Sequence, residues 1–180
     1  MRIRGIHMVY AACVEQYLKE VFMKHVVHAE LTMRQKQALD AASFAMENAY
    51  NPYSRFFVGA ALIPQNGEII TGSNVENAAY GSTICAERAA VMRANAMGVR
   101  KFSGIAIIAR GEDFDTTKIT GPCGSCRQVL YEISQISGID LEVVLSTTNQ
   151  DKIVVTTISE LLPLAFGPLD LGMDISRYQR

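Results

Sequence analysis

The sequence predicts an α/β protein in which a mixed five-stranded sheet is covered by helices. Three observations predict it. Short apolar runs of strand length alternate with longer segments of helical periodicity, two of the runs are joined by a tight-turn sequence, and 180 residues with 49% apolar side chains suit one domain with a substantial core.

Residues 1 to about 30 mix polar and apolar side chains with weak helical character and have no Pro or Gly after Gly5. They read as a leading helix or a loosely packed leader. From Thr32 the pattern sharpens. Thr32 caps a helix with Gln35 three residues on, the reciprocal pair of a capping box. Leu39, Ala42, Phe44, Ala45, Met46 and Ala49 follow at roughly helical spacing, which assigns the Met and Phe positions between 33 and 49 to the core. Pro52 in "NPYS" stops this helix, because the residue before a proline is pushed extended. "FFVGAALI" and "EIITGSNV" are strands, and the Asn66-Gly67 pair between them accepts the positive φ of a hairpin turn. A helix then runs from Cys85 to Met97 and ends at Gly98, and "GIAIIAR" is a continuous apolar run suited to a buried strand. The same order recurs in "CGSCRQVLYEISQISG" and "LEVVLST", and "KIVVTTIS" adds a fifth strand before the helix-like "ELLPLAF". Alternating strands and helices require crossovers and so parallel members, while the hairpin supplies antiparallel ones. The closing "GPLDLGMDISRYQR" reads as a tail that is partly mobile.

The totals exclude several classes of partner. A net charge of -1 with no long basic run argues against nucleic acid and favours a small neutral or mildly charged ligand. No segment approaches the roughly 20 apolar residues of a membrane span, and the first residues are too short and mixed for a signal-peptide core. Four cysteines do not make a secreted disulfide scaffold; a CxxC without an export signal reads as metal or redox chemistry in a reducing, cytoplasmic compartment.

Three of those cysteines fall in two stretches of one design. "TICAERAA" carries Cys85 and Glu87, "GPCGSCRQ" carries Cys123 and Cys126, and each sets its thiols at the beginning of a helix. A helix start has unpaired N–H groups and a partial positive charge, which favours the thiolate that binds metal. Two such starts facing each other hold one zinc ion by three sulfurs and leave the fourth tetrahedral position open to water, which the ion acidifies. Three thiolates more than cancel the ion's charge, so Arg88 and Arg127, next to the ligand-bearing turns, are candidates to withdraw that density by hydrogen bonding. A carboxylate two residues from the first ligand stands where it can take the water's proton and hand it on. Deaminases that use zinc have this grammar of a non-ligand glutamate followed by P-C-x-x-C. His25 and His28, one helical turn apart, are read as a solvated face, and Cys13 as a small apolar filler.

"NPYSRFFVGAAL", "NVENAAYGSTICAER", "PCGSCRQVLYE" and "ELLPLAF", in that order, resemble the short-chain homotetrameric cytidine deaminases over residues 32 to 167. The resemblance implies a three-layer α/β/α catalytic domain at 32–167, an N-terminal extension of unknown role at 1–31 and a C-terminal tail at 168–180. It implies zinc held by Cys85, Cys123 and Cys126, with Glu87 as the proton shuttle. Asn74 and Glu76 would bond the ribose hydroxyls, Phe56 would pack on the base, and the backbone at Cys85 and Ala86 would meet the base edge. Ala78, Tyr80 and Phe166 would enter a neighbouring subunit's pocket, and Arg88 and Gln128 would hydrogen-bond the thiolates. The implied activity is deamination of cytidine and 2′-deoxycytidine in pyrimidine salvage. Two alternatives stand beside it: a deaminase that edits bases within a polynucleotide, and a zinc-stabilised interaction domain in which Glu87 only caps a helix.

Overall fold

Continuous apolar runs at the centre of the chain set the sheet, and the helices between them close its two faces. The computed structural model describes residues 23–179. In chain order these form β1 (Lys24–Val26), α1 (Met33–Met46), β2 (Phe56–Pro64), β3 (Ile70–Ser73), α2 (Ala86–Ala96), β4 (Phe102–Gly111), α3 (Gly124–Ser137), β5 (Glu142–Ser146), β6 (Ile153–Thr157) and the short α4 (Ile158–Leu161). The sheet order is β1-β6-β5-β4-β2-β3. β4 and β5 are parallel and joined by the α3 crossover, while the other neighbours run antiparallel.

The sheet is mixed, as expected, but it has six strands rather than five. The sixth is β1, whose Lys24, His25 and Val26 pair with Val155, Val154 and Ile153. It lies within the segment read as an extension. Three residues, two of them polar, carry no alternation that a sequence pattern detects. His25 is thus on a strand and His28 in a single 3₁₀ turn (His28–Glu30), so the two do not share a helix face, although both are exposed. Cys13 and most of the proposed leading helix lie outside the described residues.

Alternation along the central strands produces two cores. Leu62, Ile105, Ile107, Val143 and Leu145 face Ala90 and Ala94 of α2 and Leu130 and Ile133 of α3. Ala61, Ile63, Ala106, Ile108 and Val144 face Ala38, Leu39, Ala42 and Met46 of α1. Burying a side chain of Leu or Met size contributes about 1.5–3 kcal/mol, and α1 buries both Leu39 and Met46 almost completely. Its cap is the expected one: Gln35 N donates to Thr32 Oγ1 at 3.3 Å and Thr32 N to Gln35 Oε1 at 2.7 Å. Met33 and Phe44, expected in the core, are 70% and 79% exposed. The buried stripe runs 35, 38, 39, 42, 45, 46, and Phe44 sits about 200° round the helix from Ala42.

Two glycines let the helices touch the sheet. A Cβ on Gly59 would lie 1.9 Å from the Ala42 carbonyl oxygen of α1, and one on Gly72 would lie 2.4 Å from the Ala90 nitrogen of α2. Gly72 therefore sets the height of α2, whose first residues carry the candidate chemistry. At the other end, "ELLPLAF" makes only one helical turn. Pro163 forces Leu162 out of the helix, and Leu164 adopts a positive φ of 55°. The tail beyond it packs back onto α3: Pro168 is buried and Leu169 N donates to Gln135 Oε1 at 3.2 Å. No helix among the described residues is long and apolar enough to cross a membrane.

Candidate active site

Two helix starts bring three sulfurs together. Cys85 is the N-cap of α2, Cys123 the N-cap of α3, and Cys126 lies in the first turn of α3. Their Sγ atoms all lie within 4.8 Å of one another. Cys85 and Cys123 are 4.0 Å apart and Cys123 and Cys126 3.5 Å. A tetrahedral zinc with sulfur at about 2.3 Å holds its ligands about 3.8 Å apart, so the trio matches the span of one ion. Three soft thiols are also the donor chemistry zinc selects.

The surroundings stabilise negative sulfur. Arg88 Nη2 donates to the Thr83 carbonyl at 2.9 Å and lies 3.8 Å from Cys85 Sγ. Its buried Nε has no partner among the described residues. A buried guanidinium N–H left unbonded beside sulfur is what a thiolate-rich centre would use. The Cys85 thiol is drawn down to about 5, first by the hydrogen bond from Cys126 and, against burial, by those from Arg88 and Cys123. Cys126 is driven upward by its bond to Cys85, by burial and by the Glu87 charge. Glu87 occupies the second position of α2 and is 4% exposed. Burial raises its pKa, and the negative Cys85 adds to the rise.

The other candidate wall is built from the end of β3 and the loop before β2. Asn74 and Glu76 are buried, at 7% and 5% exposure. Glu76 Oε2 accepts from Tyr53 N at 3.0 Å and Ser54 N at 3.1 Å, and Oε1 accepts from the Tyr80 hydroxyl at 3.2 Å. Burial alone would raise the Glu76 carboxyl, but the bonds from Ser54, Tyr53 and Tyr80 outweigh it and hold the pKa below the usual range. Phe56 opens β2 half-buried, while Ala78, Tyr80 and Phe166 are exposed. Tyr80, expected to serve a neighbouring pocket, contacts Glu76 of its own chain and meets the Tyr53 ring edge-on at 6.1 Å.

Two expected partners of the sulfurs bond elsewhere. Gln128 Nε2 donates to the Phe166 carbonyl at 2.8 Å. Arg127 donates to the carbonyls of Pro122 at 2.8 Å and Leu161 at 2.9 Å. Through these bonds to backbone carbonyls, both side chains brace the α3 start and the "ELLPLAF" segment. The sequence reading missed the Tyr53 and Ser54 amides that hold Glu76. Their only signal is "NPYS", directly ahead of the Arg55–Phe56 pair, which by itself indicates a helix stop and gives no sign that its amides meet Glu76.

A family model described as the cytidine and deoxycytidylate deaminase zinc-binding region matches residues 32–139. The chain is 44% identical over 140 residues to a cytidine deaminase of Halalkalibacterium halodurans, a match covering 78% of this chain and 99% of that protein. To a cytidine deaminase of Sporosarcina psychrophila it is 46% identical over 128 residues, 71% of this chain and 88% of the relative. The crystal structure of cytidine deaminase from Burkholderia pseudomallei matches with a TM-score of 0.66 at 43% identity, covering 76% of this chain and 100% of that one. The matched residues 32–139 contain all three sulfurs and Glu87, and with short relatives matched nearly end to end, the chain belongs to the zinc-binding cytidine and deoxycytidylate deaminase family.

Proposed function

We propose that this protein hydrolyses the exocyclic amino group of cytidine and 2′-deoxycytidine, releasing ammonia and leaving uridine or 2′-deoxyuridine. One observation carries the reading: a buried carboxyl, Glu87, stands two residues from Cys85 in a trio of thiols spaced for a single ion. Cys85, Cys123 and Cys126 would hold zinc, which when bound would supply a Lewis acid able to make water a nucleophile near neutral pH.

The chain's own groups do the rest. Glu87 accepts the proton of the attacking water, delivers it to N3 of the pyrimidine, and carries a second proton to the departing amino group. Its burial keeps bulk water from diverting those protons. The Ala86 N–H belongs to the first turn of α2, which has no intrahelical acceptor for it, so it can donate to the base edge. Phe56 packs against the base. Glu76, fixed by two backbone amides through Oε2, offers a sugar hydroxyl the remaining lone pair of Oε1, which also accepts from Tyr80, with Asn74 beside it. Arg88 draws charge from the thiolates.

We further read the protein as a cytoplasmic homotetramer of pyrimidine salvage in which Ala78, Tyr80 and Phe166 complete neighbouring pockets. The exposure of Tyr80 at 58% and Phe166 at 59% supports this. The test is ammonia release and the fall in ultraviolet absorbance with cytidine, deoxycytidine and a cytosine-bearing oligonucleotide. Turnover of both nucleosides above the oligonucleotide is expected; the reverse order would assign the site to polynucleotides.

A further inference from the structure

β3 pairs with β2 only as far as Ser73, which faces Gly59. Beyond that point the backbone turns away, and Val75 bridges to Tyr50 and Ile84 instead. The start of β2 would therefore lose its ladder on that side. Asn74 replaces it. Its Oδ1 accepts from Val58 N at 2.9 Å and its Nδ2 donates to the Phe56 carbonyl at 2.9 Å, while its own N donates to the Val58 carbonyl at 3.3 Å.

A planar amide with one donor and one acceptor imitates a peptide group, so the side chain extends the sheet by one further rung. Asp would offer two acceptors and Gln would place the amide one methylene too far. On its other edge the segment pairs with β4, Phe56 opposite Gly111 and Val58 opposite Ala109, so Asn74 supplies the second of its two edges. Arg55, immediately before Phe56, has a positive φ of 53°, a conformation L-residues resist. The Phe56 amide is turned onto Ser54 Oγ at 3.1 Å, and the Tyr53 and Ser54 amides are held by Glu76.

We propose that Asn74 is a positioning residue for the base. Its amide fixes the strand that presents Phe56, and it does so independently of any contact the second Nδ2 hydrogen makes with the sugar. This rests on the cytidine-deaminating reading above, in which Phe56 packs on the pyrimidine. A group that served only the 2′- and 3′-hydroxyls would be silent toward a substrate without them.

The test compares Asn74→Ala with the unaltered protein on cytidine and on 2′,3′-dideoxycytidine, the latter as substrate or, if turnover is slow, as competitor. Loss of two buried hydrogen bonds to the Phe56 strand predicts about a tenfold loss for both compounds, mostly in KM or Ki, with zinc content unchanged. A loss confined to cytidine overturns the proposal. In a Phe56→Ala background the same substitution should cost less than about threefold, and a full tenfold loss there also overturns it. Should Asn74→Ala fail to fold, amide exchange in the unaltered protein decides. The Val58 N–H should be protected like the β2 interior, and exchange as fast as the exposed loop removes the clamp. An unaltered protein inert toward cytidine would instead contradict the proposed function, leaving the Val58 measurement to judge Asn74.

Discussion

The two walls of the site are built by opposite means. On the metal wall, side chains project from helix starts, and the spacing that matters is local: Cys85 to Glu87 and Cys123 to Cys126. On the wall proposed for the base and sugar, polar side chains are already committed to distant backbone. Asn74 holds residues 16 and 18 positions away, and Glu76 holds residues 22 and 23 positions away. The metal wall is thus specified by two short motifs, whereas the other wall exists only once the sheet has formed.

Substitutions should separate the two. Cys126→Ser has the largest expected effect, because a buried hydroxyl replaces a thiolate in the three-sulfur set. Metal analysis should find zinc lost and activity undetectable. Gly72→Ala comes next, since its Cβ would strike main-chain atoms of α2 that cannot yield. We expect a loss of about 1–3 kcal/mol in folding stability, read in thermal or denaturant unfolding, together with weaker zinc retention. Equal stability would mean that α2 is not seated by that glycine.

Arg88→Ala should lower zinc affinity about 10- to 100-fold in a chelator competition, since it removes the guanidinium beside Cys85. The smallest effect belongs to Glu76→Gln and depends on pH. The folded carboxyl titrates below its ordinary value of 4.5, so its contribution to stability is complete above that pH and disappears as pH falls through the lowered value. The melting temperatures of Glu76→Gln and the unaltered protein should differ at neutral pH and converge in acid. A gap constant with pH would show that the ionised carboxylate does not hold the Tyr53–Ser54 turn.

The same local-against-distant contrast explains what the sequence revealed. The Thr32 cap, the hairpin, both cysteine-bearing helices and the crossover strand follow from signals within a few residues, and all of them form. Phe44 misled because size and hydrophobicity do not tell which side of a helix a residue occupies; only its place on the stripe does. β1 escaped because its stability comes from β6, more than a hundred residues away, rather than from its own pattern. Arg127, assigned to the sulfurs by proximity in sequence, and Gln128, assigned to them by resemblance, both donate to carbonyls that no local pattern pairs with them: Pro122 and Leu161 for Arg127 and Phe166 for Gln128. Glu87 was legible from spacing alone, but its near-complete burial required the folded α2.

The most direct test of the account is Glu87→Gln, assayed for zinc and for cytidine turnover on the same sample. The substitution keeps the size of the side chain and leaves the sulfurs untouched, so we predict one zinc per chain and a loss of about 10²–10⁴-fold in kcat. Undiminished turnover with zinc in place would contradict a proton-carrying role for this carboxyl and, with it, the assignment of the site's chemistry.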